Sequence, residues 1–226
     1  MSNNALLIGN SDGIGLAATK RLLSEGWDVV GVSRSDSPID DSAYRHHAMD
    51  VTSGAYPELI ASLVDATVTD LCIYFVGVGE LLDPAEMGGE APVVDANLMG
   101  MVKTAAEVIP AMAARGQGHF IGLSSVADEL VSAEAPSYHA SKAGFTNYLA
   151  GLSLALRQRG VYVSNVRFGF VDTKMAKGDF KPFMMSVEKA VDHIWRCVRR
   201  RPVVYTAPKI VVPLIKFRKW MMRLQR

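Results

Sequence analysis

The chain has 226 residues, a length that fits one domain in the usual range of ~50–250 residues. Hydrophobic residues make up 49% and charged residues 21%, enough to build a core and to set aside a disordered chain. The net charge of +1 argues against an electrostatic grip on nucleic acid by the whole protein, and two cysteines, Cys72 and Cys197, exclude a disulfide scaffold.

The start, from Met1 to Leu6, has neither a basic n-region nor a long apolar stretch, so no cleaved leader is expected. No apolar run approaches the ~18–20 residues of a membrane span. The expected location is cytoplasmic, with peripheral membrane contact as a variant set by the tail described below.

Short apolar runs alternate with longer helical patterns. Residues 5–8 read as a strand and 13–24 as the helix after it. Residues 27–32 and 44–49 read as strands and 57–64 as a helix. Residues 71–76 form a continuous apolar run, as in a strand buried on both faces. A long helix is predicted over 91–114, a strand over 119–123, a second long helix over 137–158 and a strand over 161–167. A helix over 187–198 and a short strand over 203–205 follow. Strands joined through helices need crossovers, which give a parallel sheet covered on both faces. The expected fold is a doubly wound, Rossmann-type α/β domain over residues 1–205. It includes an aperiodic substrate loop near 172–186 and leaves 206–226 as a tail.

The run Gly9-Asn10-Ser11-Asp12-Gly13-Ile14-Gly15 follows the first strand and opens the first helix. Glycines let a backbone turn tightly and approach a ligand, and a helix N-terminus offers free N–H groups to a pyrophosphate. The second strand ends at Ser33-Arg34, where dinucleotide folds often carry an acid for the ribose hydroxyls. A guanidinium there pairs with a 2′-phosphate, which favours NADP(H) over NAD(H). Asp50-Val51, after the third strand, is placed to meet the adenine edge. Gly77 sits in a turn at a strand end where the cofactor passes.

Tyr138 and Lys142 stand four apart at a helix start, so they share one face. An ammonium beside a phenol favours the phenolate, which makes tyrosine a usable acid/base. Ser125 lies at the end of a strand, where such sheets form their ligand crevice. Its hydroxyl can hold a substrate oxygen beside the phenol. The five histidines show no metal-ligand spacing, and His139 is expected to point about 100° away from Tyr138 around the helix.

Taken together, Gly9-x-x-x-Gly13-Ile14-Gly15, Asn97 in Asp95-Ala96-Asn97-Leu98, Ser124-Ser125 and Tyr138-His139-Ala140-Ser141-Lys142 resemble the short-chain dehydrogenase/reductase (SDR) family over roughly residues 3–205. The resemblance implies hydride transfer between a nicotinamide and a carbonyl or secondary alcohol. It makes Tyr138 the acid/base and has Ser125 hold the reacting oxygen. Lys142 would bind the nicotinamide ribose and Asn97 support a proton-relay water. Val171 and Thr173 would contact the carboxamide, and a homodimer or homotetramer is implied. A catalytically inactive NADP(H)-binding sensor or scaffold of the same fold is the other reading. It does not need all four of Asn97, Ser125, Tyr138 and Lys142.

Three places depart from the family pattern. Ile8 replaces a Thr before the glycine run, Tyr74-Phe75-Val76-Gly77 replaces Asn-Asn-Ala-Gly, and Phe168-Gly169 replaces Pro-Gly. Met175, Phe180, Phe183, Met184 and Met185 cluster in the aperiodic loop, where an apolar substrate or the tail could cover them. From Arg196 to Arg226 lie ten of the 24 basic residues and none of the 23 acidic ones, so the remainder carries a net −9. Leu214, Phe217, Trp220, Met221 and Leu224 form one helical stripe with Lys and Arg largely off it. Such a helix can lie in an anionic membrane interface or pack on the acidic body or a neighbouring subunit.

Overall fold

The computed structural model describes residues 3–175, 182–213 and 215. Seven strands form one parallel sheet: β1 (Asn4–Ile8), β2 (Asp28–Ser33), β3 (Tyr44–Ala48), β4 (Leu71–Tyr74), β5 (Gly118–Ser125), β6 (Val161–Phe168) and β7 (Val204–Ala207). Their order is β3-β2-β1-β4-β5-β6-β7. The direction of winding reverses between β1 and β4. In open parallel sheets the crevice beyond the strand ends at such a reversal binds ligand.

Alternation along the strands divides the core in two. Leu6, Ile8, Cys72, Tyr74 and Phe120 face α2 (Tyr56–Ala66), α4 (Gly100–Arg115) and α5 (Pro136–Leu156). There they meet Ile60, Met101, Met112, Phe145 and Leu149. Ala5, Leu7, Leu71, Ile73 and Ile121 face the other side, against Leu22 of α1 (Gly13–Ser24) and Ile194 of α6 (Val187–Arg200). Burying each such side chain contributes ~1.5–3 kcal/mol, so both layers hold the strand ends in register.

The long helix expected over 91–114 is a chain of shorter pieces. A 3₁₀ turn at Met87–Gly89 leads into α3 (Glu90–Val94), a π-helical turn spans Asp95–Met99, and α4 follows. β7 runs through Ala207, so the sheet continues past the expected boundary at residue 205, and Ile215 is buried. Phe180 and the remainder of the tail stripe at 214 and 217–224 lie outside the described residues. Among the described residues, no helix is long and apolar enough to cross a membrane, and no group of His, Cys, Asp and Glu could hold a metal ion.

Candidate active site

The glycine turn is shaped by close approach. Gly9 has φ of 83°, and its amide donates to the Val32 carbonyl at 2.8 Å. A side chain at Gly9 would run into Val76, and one at Gly15 would overlap the Gly9 carbonyl. Any Cβ at either position forces the turn open. Asp12 caps α1, its Oδ1 accepting from the Gly13 amide at 2.8 Å. Its Oδ2 lies 2.7 Å from Nζ of Lys174, and that bond, with help from the Gly13 amide, holds the carboxyl below its usual range. Ser11 and Ile14 are half-buried. Asn10 turns its side chain inward. It is fully buried, and its Nδ2 donates to the Tyr44 hydroxyl at 2.7 Å and to Thr19 Oγ1 at 3.3 Å. The side chain is thus spent on bracing the turn from below, which leaves its backbone to face a ligand.

At the other rim, Thr173 faces the turn: its methyl would stand 3.5 Å from a Cβ on Gly13. Thr173 Oγ1 donates to the Val171 carbonyl at 3.4 Å, and Val171 is buried. At the end of β2, Ser33 is buried and donates to the Ser35 carbonyl at 3.1 Å. The Arg34 side chain is 70% exposed, with Nε 3.8 Å from Asp50 Oδ2. Burial pushes the Asp50 carboxyl up, but hydrogen bonds from Thr52 and the Arg34 charge outweigh it and hold the group below its usual range. Val51 is core, and its side chain packs inward. The Arg34 guanidinium is largely free to solvent, because 3.8 Å is a loose contact.

Ser125, Tyr138, Lys142 and Asn97 come together at the strand ends. Ser125 ends β5 and caps the next 3₁₀ turn, its Oγ accepting from the Ala127 amide at 3.2 Å. Ser125 stands beside the Tyr138 hydroxyl and lowers its pKa. Lys142, one helical turn on, is 3% exposed; its Nζ donates to the Leu123 carbonyl at 3.1 Å and lies 5.8 Å from the Tyr138 ring centre. Segment 77–79 closes the other side. A Cβ on Gly77 would stand 3.5 Å from Lys142 Nζ, and one on Gly79 would stand 3.5 Å from the Tyr138 ring. Asn97 is fully buried in the π turn. Its Oδ1 accepts from the Val78 amide at 2.7 Å, and its Nδ2 donates to the Val78 carbonyl at 2.9 Å and to Ser141 Oγ at 3.0 Å.

The electrostatic balance corrects one expectation. Burial pushes the Tyr138 hydroxyl above its ordinary value; Ser125 pulls it down and Asp128 pushes it up. Lys142, whose Nζ donates to the Leu123 carbonyl, is not among the groups that shift Tyr138. Burial also brings Lys142 down to about 8, with Asp128 acting in the opposite sense. Tyr138 is therefore a neutral phenol, a proton donor, at neutral pH. The His139 ring meets Tyr138 edge-on, centres 5.7 Å apart, and its Nδ1 bonds the Ala135 carbonyl.

Asp128 belongs to a network that the sequence did not reveal. Its side chain is fully buried, its Oδ1 2.7 Å from Arg167 and its Oδ2 accepting from Thr146 at 2.6 Å. Arg167 also pairs with Glu129 at 2.5 Å. Burial pushes the Asp128 carboxyl up, and the Thr146 and Arg167 bonds oppose it. No sequence spacing signals this cluster, since it exists only once β6 and α5 are packed beside Ser125. The loop methionines also divide: Met185 is buried, while Met175, Phe183 and Met184 are partly open, with Met175 Sδ 3.5 Å from a Cβ on Gly77.

A family model for short chain dehydrogenases matches residues 3–182. The chain belongs to the short-chain dehydrogenase/reductase family, enzymes that act on CH-OH groups with nicotinamide cofactors. It is similar to the 3-oxoacyl-(acyl-carrier-protein) reductase of Vibrio cholerae, 28% identical over 191 residues, covering 76% of this chain and 75% of that protein. It is also similar to serine 3-dehydrogenase of Rhizobium radiobacter, 28% identical over 187 residues, covering 77% and 74%. A short chain dehydrogenase from Burkholderia cenocepacia in complex with NADP has the same fold, with a TM-score of 0.85, 20% identity, and coverage of 95% and 92%.

Proposed function

We propose that the chain is an NADP(H)-dependent oxidoreductase that interconverts a carbonyl and a secondary alcohol, with Tyr138 as acid/base. The observation that carries this reading is Ser125 beside the Tyr138 phenol, with buried Lys142 one turn away, its Nζ 5.8 Å from the Tyr138 ring centre. A binding protein has no need of a neutral phenol beside a second hydroxyl.

The residues present fit a dinucleotide. Gly9 and Gly15 keep the turn clear, α1 offers its N-terminus, and Gly77 leaves space before Lys142. Gly9, Gly13, Ile14 and the backbone of Asn10 and Ser11 would hold the pyrophosphate. Arg34 would pair with a 2′-phosphate, Asp50 and Val51 would border the adenine, and Val171 and Thr173 would meet the carboxamide. When bound, the nicotinamide supplies or receives the hydride. Tyr138 gives its proton to the carbonyl oxygen, or takes the hydroxyl proton in the reverse direction. Ser125 holds that oxygen beside the phenol. Lys142, protonated below about 8, binds ribose hydroxyls and returns a proton to Tyr138. Asn97 supports the water path that recharges Lys142.

The test is steady-state turnover of NADPH and NADH against ketones, 3-oxoacyl thioesters and 3-hydroxy acids. Turnover lost in Tyr138→Phe, with NADPH still bound, supports the reading. NADPH binding with no turnover across the panel leaves a binding protein instead. A homodimer or homotetramer in the cytoplasm, read by light scattering, completes the proposal.

A further inference from the structure

The π turn at Asp95–Met99 is what points Asn97 at segment 77–79. A π turn holds one residue more than an α turn and frees carbonyls from their usual partners. Its Gly100 amide reaches back five residues, to the Asp95 carbonyl. The neighbouring Ala96 carbonyl accepts from the Tyr74 hydroxyl at 2.6 Å, deep in the core. Tyr74 reaches it only because residue 100 is glycine: a Cβ there would overlap the Tyr74 oxygen and crowd Val51. The tyrosine is the last residue of β4, where the family pattern leads one to expect asparagine.

We propose that Tyr74 is a positioning residue: its hydroxyl holds the π turn at Ala96 and so fixes Asn97 against the Val78 backbone, a task that Gly100 makes possible. Three observations converge on it. The bond joins the strand that ends in the crevice to the residue directly before Asn97. Asn97 spends its amide on both backbone groups of Val78, so a small rotation of the turn breaks two bonds. The Tyr74 ring packs on Phe145, centres 6.2 Å apart, and the Lys142 ammonium lies 5.0 Å from the same Phe145 ring. The hydroxyl is buried, so no water replaces it when it is removed, and the Ala96 carbonyl loses that partner.

Amide hydrogen exchange of the full-length protein tests this without a substrate. The Val78 amide bonds Asn97 Oδ1, so its protection reports Asn97 directly. Tyr74→Phe is expected to speed Val78 exchange at least tenfold while the Ile121 amide of β5, a reporter of global opening, is unchanged. Gly100→Ala, which pushes on the same hydroxyl from the other side, is expected to do likewise. The double variant Tyr74→Phe/Asn97→Ala should exchange no faster at Val78 than Asn97→Ala alone. Wild-type protection of Val78 in Tyr74→Phe overturns the proposal. So does acceleration at Val78 that merely follows Ile121. A kinetic arm rests on the catalytic reading of Asn97: with NADPH and ethyl 3-oxobutanoate as probe, Tyr74→Phe lowers kcat and leaves the NADPH KM within twofold. If Asn97→Ala keeps full kcat while Val78 exchanges as expected, the reading of Asn97 fails and the positioning role of Tyr74 stands.

Discussion

Lys174 Nζ lies 2.7 Å from Oδ2 of Asp12, a pair that spans 162 residues and ties the segment after β6 to the glycine turn. Both side chains are mostly in water, at 89% and 62% exposure, so the pair adds little to stability. Its effect is local charge: it neutralises a carboxylate placed where a phosphate would approach. Lys174→Ala should leave the melting temperature nearly unchanged and weaken NADPH binding several-fold, as measured by nucleotide fluorescence. Added salt should shrink the difference. Asp12→Asn in the same background should restore binding.

Tyr138→Phe keeps the ring and its edge-on contact with His139 but removes the proton donor. Turnover on a confirmed substrate should drop by the ~10²–10⁴-fold typical of a lost acid/base, with NADPH affinity little changed. Wild-type turnover in this variant would remove Tyr138 from the mechanism.

Arg34→Ala should weaken NADPH binding far more than NADH binding. A charge-assisted contact is worth ~1.5–3 kcal/mol, roughly a 10- to 100-fold change in affinity. Ser33→Asp should shift the preference toward NADH by repelling the phosphate. Equal losses for both cofactors in Arg34→Ala would contradict the NADP(H) assignment.

Lys142 gives a pH signature. Its folded value is about 8 against an ordinary 10.5, so the charged form is present below about 8 and lost above it. NADPH affinity should be level at pH 6–7 and fall above about 8, and Lys142→Met should flatten that limb. Between 8 and 10.5 the unfolded chain holds the extra proton, so stability gains from Lys142 as pH rises through that window. Denaturant titrations of both proteins from pH 7 to 10 read the sign: the wild type should gain on Lys142→Met.

The basic tail makes a separate prediction. If the tail lies in a membrane interface, full-length protein should co-sediment with anionic vesicles at low salt and not with neutral ones, and removal of residues 214–226 should abolish the binding. Protein left in the supernatant with anionic vesicles assigns the stripe to packing.

The sheet was legible because short, largely apolar segments, of which 71–74 is the clearest, alternate with longer helical patterns. Asn97, Ser125, Tyr138 and Lys142 were legible through their ordered spacing, which does not depend on packing. The π turn was not, since residues 91–114 carry one continuous helical pattern, and the contact that meets the turn, from Tyr74 to the Ala96 carbonyl, joins residues 22 apart. Asp128, Arg167 and Thr146 were invisible for a related reason: they are far apart in sequence and meet only across packed elements. The inward bond from Asn10 to Tyr44 was invisible for the same reason, since the two residues stand 34 apart and meet only where β3 packs beside the turn.

That clamp on Asn10 also bears on how the cofactor is captured. With Tyr44 and Thr19 gripping the turn from the inside, the backbone that would face a phosphate is set before any nucleotide arrives. A preorganised loop loses little conformational entropy on association. Nucleotide capture is then docking onto a finished surface, seen in stopped flow as a single phase whose rate rises linearly with nucleotide concentration and does not level off at a loop-closing step.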